Sequence, residues 1–144
     1  MKKKKIKTKT TILKFIHFNN KHIPLLKKAA VSALKSENIN SYQINFIMIS
    51  DIQIKKLNAK YRNVKRITDV ISFLIIPQNF TGDIYIACNR SKKQAKQYEH
   101  LWIEELAYLT IHGILHLCGY SDYETQNKKI MFEKQDKIFK CLFS

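Results

Sequence analysis

The sequence predicts an α+β fold, a small mixed sheet of about four strands surrounded by about five helices. Stretches with strand character, alternating or almost wholly apolar, interleave with stretches whose apolar residues recur at helical spacing. With 3 glycines and 2 prolines there is no linker-like segment, and no internal repeat is visible. The length of 144 residues fits a single domain over 1–144, and a hydrophobic fraction of 45% is ordinary for a chain that buries a core.

Residues 1–10 (Met-Lys-Lys-Lys-Lys-Ile-Lys-Thr-Lys-Thr) read as a solvated basic tail. They begin like a signal peptide, but Lys14 interrupts the apolar stretch after them and there is no small-residue cleavage site. No apolar run approaches the roughly 18–20 residues of a bilayer-spanning helix. A cytoplasmic protein without a membrane partner is expected. Ile12, Phe15, Ile16 and Phe18 mark a first strand over 11–18. Pro24 suits a first helical turn, and Leu25, Leu26, Ala29, Ala30, Ala33 and Leu34 continue a helix over 24–37. Tyr42 to Ser50 is a second strand. Asp51 is placed to cap a helix carrying Ile54, Leu57 and Tyr61, and residues 63–69 form a loop. Val70 to Ile76 is almost entirely apolar, as in a strand buried on both faces. Gly82 to Cys88 is another strand, and Asn89 can cap a helix over 90–98. A longer apolar helix runs from about Trp102 to Cys118, stopped by Gly119. The last helix, about 125–142, puts Met131, Phe132, Ile138, Phe139 and Leu142 on one side.

Charge is the strongest bulk signal: 26 basic against 11 acidic residues, a net +15. Self-repulsion of that size is commonly offset by binding phosphate, although lysine spread along the whole chain also fits a biased composition. The three cysteines, Cys88, Cys118 and Cys141, are widely spaced with no CxxC, so reduced and mostly buried thiols are expected.

The chemistry concentrates in Ile111-His-Gly-Ile-Leu-His-Leu-Cys-Gly-Tyr-Ser-Asp122. His112 and His116 lie four apart on a helix, so both imidazoles project from one face and can chelate one ion. On that spacing alone, either could instead be a satisfied core histidine. Gly119 stops the helix where a glycine can turn the chain back, and Asp122 can then return as a third donor. Three protein ligands leave a position for water, as a catalytic zinc requires. Zinc proteases carry Glu directly after the first histidine. Gly113 stands there, which disfavours peptide hydrolysis.

These residues resemble the YbeY family of bacterial ribosomal-RNA maturation factors, whose motif reads His-Gly-x-Leu-His-Leu-x-Gly-Tyr-Asp-His. His112 to Tyr120 matches every specified position. Leu57-Asn-Ala-Lys-Tyr-Arg62, Thr68-Asp-Val-Ile-Ser-Phe73, Gly82-Asp-Ile-Tyr-Ile86 and Met131-Phe-Glu-Lys-Gln-Asp136 are similar to further family blocks, in the same order. Asp122 departs from the family's third histidine, Ser121 from the preceding Asp, and Ile67 from a proline expected to affect loop stiffness only.

The resemblance implies a zincin-like arrangement holding one Zn²⁺ through His112, His116 and Asp122. It implies a single-strand-specific, zinc-dependent endoribonuclease in 16S ribosomal RNA 3′-end maturation and ribosome quality control. The partners would be ribosomal RNA and the small subunit, with no DNA specificity. Arg62 would be the catalytic arginine, gripping a phosphate through paired hydrogen bonds. Asp69 and Ser72 are candidates for substrate contact, with helix capping or a strand-end hydrogen bond as their plainer roles. The competing reading is a non-catalytic RNA-binding assembly factor with a structural metal, completed by a fourth ligand such as His100 or a cysteine. Tyr61, Phe73, Tyr85, Tyr98, Trp102 and Tyr120 are available for base stacking, with core packing as the plainer role.

Overall fold

The computed structural model describes residues 8–63 and 68–144. Residues 1–7 of the basic tail, and Ile67 with the rest of 64–67 in the expected loop, lie outside them. The elements run β1 (Thr11–Ile16), α1 (Ile23–Ser36), β2 (Tyr42–Ile49), α2 (Asp51–Arg62), β3 (Val70–Ile76), β4 (Thr81–Ala87), α3 (Cys88–Gln97), α4 (Trp102–Leu117) and α5 (Thr125–Phe143). The fold is α+β with a mixed sheet, as the sequence predicts.

The sheet order is β1-β2-β4-β3, with β1, β2 and β4 parallel and β3 antiparallel to β4. Along β2 the alternation is clean: Tyr42, Ile44, Phe46 and Met48 face the main core. There they meet Leu26, Ala30 and Leu34 of α1 and the apolar face of α4. The opposite face is covered by a smaller cluster of Ile54 from α2 with Ile71 and Ala87. Helix α4 lies between the sheet, α1, α3 and α5, and eleven of its 16 residues are buried. That environment accounts for its nearly all-round apolar sequence.

Several local expectations are corrected. Helix α2 is capped by Ser50 rather than Asp51: the Ser50 hydroxyl accepts from the Gln53 N–H, and the Gln53 side chain accepts from the Ser50 N–H. This reciprocal arrangement satisfies two orphan donors at once, whereas Asp51 occupies the first turn. Asn89 does not cap α3. That helix begins two residues earlier than expected, at Cys88, directly off the end of β4. Strand β3 is not buried on both faces. It is the sheet's edge, and Leu74, Ile75 and Ile76 are exposed. Apolar composition alone does not reveal sheet order. Cys141 is exposed, while Cys88 and Cys118 are half-buried, and all three are free thiols.

Two contacts set α4 against the sheet. The Ser72 hydroxyl on β3 donates to the Gly113 carbonyl at 2.9 Å. A Cβ at Gly113 would lie 2.7 Å from Ile84 Cγ2 and 3.2 Å from Ser72 Oγ, so the helix approaches as closely as it does because position 113 has no side chain. The same crowding leaves no room for the glutamate that zinc proteases carry there.

Candidate metal centre

His112 and His116 sit one turn apart near the C-terminal end of α4, where the helix dipole favours positive charge. The helix ends through Gly119, at φ +98°, with Gly119 N–H donating to the His116 carbonyl and Tyr120 N–H to the Leu115 carbonyl. That pair of bonds is a Schellman stop, and it reverses the chain. The Tyr120 hydroxyl then donates to Glu37 just beyond α1 at 3.0 Å, pinning the returning segment. Asp122 arrives with its Oδ2 3.7 Å from Nε2 of both histidines.

The outer ring nitrogens decide what the inner ones can do. His112 Nδ1 lies 2.9 Å from Gln135 Oε1, and the Gln135 amide nitrogen donates to the Tyr108 carbonyl at 3.2 Å. A backbone carbonyl only accepts, so the Gln135 amide is oriented and its oxygen must face a donor. His112 therefore carries its hydrogen on Nδ1. His116 Nδ1 likewise donates to the Tyr120 carbonyl at 3.0 Å. Burial first, and then the neighbouring His112, lowers the His116 pKa from its ordinary value and keeps that ring neutral, against the opposing pull of Asp122. The two Nε2 atoms thus approach to 2.9 Å, with the Asp122 carboxylate beside them. Two imidazole nitrogens turned together by the hydrogen bonds of their outer nitrogens, with a carboxylate alongside, make a donor set that suits zinc. The candidate ligand atoms of His112, His116 and Asp122 all lie within 4.8 Å of one another, and among the described residues these three form the only such group.

The structure brings together all three sequence-predicted ligands and adds one residue to which the sequence assigned no role. Gln135 is fully buried on α5 between Met131 and Ile138. Its signal was a polar residue on an otherwise apolar stripe. No fourth ligand joins from the proposed alternatives. His100 is paired with the buried Glu105 carboxylate at 2.6 Å. Burial, followed by the charge of Glu37, pushes the Cys118 thiol up to about 12, far from the thiolate a metal takes.

The other candidates fall around this centre. Arg62 is the exposed last residue of α2, and its charge is among those that disfavour protonation of His116. Ser72 spends its hydroxyl on Gly113, which makes it a positioning contact for the histidine helix. Asp69 lines a cavity of about 450 Å³ that also includes His112 and Gln135 in its wall. Of the aromatic residues, Tyr61 and Tyr98 are well exposed. Phe73 packs edge-on against both Tyr61 and Tyr85, while the Trp102 indole donates to Ser91 and the Tyr120 hydroxyl is held by Glu37.

The family model described as Endoribonuclease YbeY matches residues 5–142. The chain belongs to the YbeY family. An Endomicrobium trichonymphae protein named Endoribonuclease YbeY is 61% identical over 138 residues, covering 96% of this chain and 98% of that protein. A Finegoldia magna protein of the same name is 35% identical over 119 residues, covering 79% and 78%. The solution structure of TM1509 from Thermotoga maritima superposes with a TM-score of 0.65 at 32% identity, covering 92% of this chain and 89% of that one. The family resemblance drawn from the motif blocks is therefore borne out along almost the whole chain. Within the YbeY pattern, the departure at Asp122 still supplies a donor that faces both imidazoles.

Proposed function

We propose that this chain is a metal-dependent endoribonuclease of single-stranded RNA, acting in 3′-end maturation of 16S ribosomal RNA and in ribosome quality control as a single YbeY-like unit. The observation that carries the reading is the convergence of two imidazole Nε2 atoms and one carboxylate, in a chain whose relatives are named endoribonucleases. His112, His116 and Asp122 would hold one Zn²⁺, which would supply Lewis acidity toward a phosphate oxygen or water. Three protein ligands leave a coordination position open, whereas a purely structural site closes it with a fourth. Among the described residues none completes the group, which favours the enzyme over the assembly factor with a structural metal.

The remaining work belongs to side chains. Gln135 and the Tyr120 carbonyl hold the imidazoles in the ligand tautomer. Arg62, exposed at the end of α2, is free to bind a phosphate with two parallel hydrogen bonds and to neutralise charge that develops during cleavage. The lysine-rich surface, part of a net +15, draws the RNA backbone in without reading sequence. No helix among the described residues is long and apolar enough to cross a membrane.

The test is incubation of zinc-loaded protein with unstructured RNA, with and without a chelator. Cleavage that stops with the chelator and returns with zinc is expected. Cleavage indifferent to the chelator contradicts metal dependence.

A further inference from the structure

The cavity beside the metal centre runs against the charge of the rest of the chain. The sequence holds 26 basic and 11 acidic residues, yet Asp69, Glu105 and Asp136 all line this one cavity, with no lysine or arginine among its described walls. The three carboxylates are not a second metal site, since the only described group with converging ligand atoms is that of His112, His116 and Asp122. A phosphate would be repelled here. What fits an acceptor-lined, partly aromatic space of about 450 Å³ is a neutral, flat group carrying hydrogen-bond donors.

Two of the acids are already committed. Glu105, 2% exposed, contacts His100 through Oε2 at 2.6 Å. The Gln94 amide, oriented to satisfy its neighbours, donates to Glu105 Oε1 at 2.8 Å and to Asp69 Oδ2 at 3.3 Å. These bonds stiffen the cavity wall. Asp136 is different. The Tyr108 hydroxyl donates to its Oδ1 at 2.9 Å, fixing the carboxylate, and its other oxygen has no hydrogen-bond partner among the described residues. Asp136 also follows Gln135, which holds His112, so one turn of α5 serves both the cavity and the metal ligand.

We propose that this cavity binds an unpaired guanine base of the RNA, next to the metal centre, with Asp136 as its anchor. The proposal rests on the nuclease reading. Guanine alone among the common bases presents two adjacent donors, N1–H and the 2-amino group, which a carboxylate accepts side by side. Adenine and cytosine place an acceptor beside their amino group, and uracil flanks its single donor with two acceptors. The apolar edges of Phe132 and Phe139 supply the walls against which the base packs. Because His112 belongs to both spaces, a base seated here leaves its own phosphodiester on the metal side.

The test is calorimetric titration of the zinc-loaded full-length protein with guanosine, inosine, adenosine and uridine 5′-monophosphates. None of these contains a diester that can be cut, and all share the phosphate. Guanosine monophosphate should bind about tenfold more tightly than the other three, and Asp136→Asn should bring it to within about twofold of inosine monophosphate. Guanosine monophosphate should also shift the methyl resonances of Leu109, which lines the cavity. Four affinities within about twofold of one another overturn the proposal, and so does a guanine preference that leaves Leu109 unmoved. RNA cleavage, measured separately, decides the nuclease reading: equal affinities in a protein that cuts RNA sink the pocket alone, and a guanine preference in a protein that never cuts sinks the nuclease alone.

Discussion

At His112 the two ring nitrogens have separate tasks. Nδ1 donates to Gln135 and thereby frees Nε2 for a cation. Replacing Gln135 with Leu removes the acceptor while keeping the bulk, and leaves the ring without a fixed tautomer. Partners of this kind are typically worth about 10–100-fold in metal affinity, so Gln135→Leu should lose zinc affinity by about that factor in a competition titration with a chromogenic chelator. Wild-type affinity in the variant would show that the tautomer is set elsewhere. His116 makes a pH prediction. Its folded-state pKa is lowered, chiefly by burial, so below the ordinary value of 6.5 the unfolded chain binds a proton that the folded chain refuses. Stability therefore rises with pH through that window and is lost as pH falls below it. The urea midpoint of metal-free protein should drop between pH 8 and pH 5, and the drop should shrink in His116→Gln. Arg62 offers the complementary case. It is exposed at a helix end, so Arg62→Ala should abolish RNA cleavage with little change in melting temperature. A variant cutting at the parental rate would remove the arginine from the reaction.

Helix α4 is positioned by what it lacks. Gly113 lets its backbone settle against Ile84 and Ser72. Gly113→Ala should cost about 1–3 kcal/mol in urea unfolding, because a Cβ 2.7 Å from Ile84 Cγ2 forces the helix off the sheet. An unchanged midpoint would mean that Ile84 simply rotates away. This element also shows what a sequence can and cannot reveal. The histidine spacing, the apolar run and the glycine stop are local, and all are legible without the fold. The cap of α2 lies one residue before the expected Asp51 because Ser and Asp are both good capping residues, and only the Gln53 side chain decides for Ser50. Strand β3 read as doubly buried because its apolar residues look alike whether central or at the edge; the order β1-β2-β4-β3 is a long-range outcome. The role of Gln135 is hidden for the same reason. It meets His112 across 23 positions of chain, a contact that no local pattern encodes.

On the scale of the whole molecule, charge and site are divided. The net +15 is spread over the chain, while the acids collected around His112 leave one cavity that a phosphate avoids. A backbone held by a diffuse cationic surface and a centre reached by a few oriented groups imply that affinity depends on salt and cleavage on geometry. Raising salt from about 50 to about 200 mM should weaken single-stranded RNA binding by more than about tenfold. Salt-independent binding would assign the lysines to compositional bias. The three-donor centre itself is tested most directly by zinc-edge X-ray absorption on the loaded protein and on Asp122→Ala. A three-donor centre should give one zinc per chain, two imidazole nitrogens at about 2.0–2.1 Å with the remaining ligands oxygen, and much weaker retention of the ion in the variant. A sulfur ligand at about 2.3 Å, or a spectrum and zinc content that the Asp122 substitution leaves untouched, would contradict it.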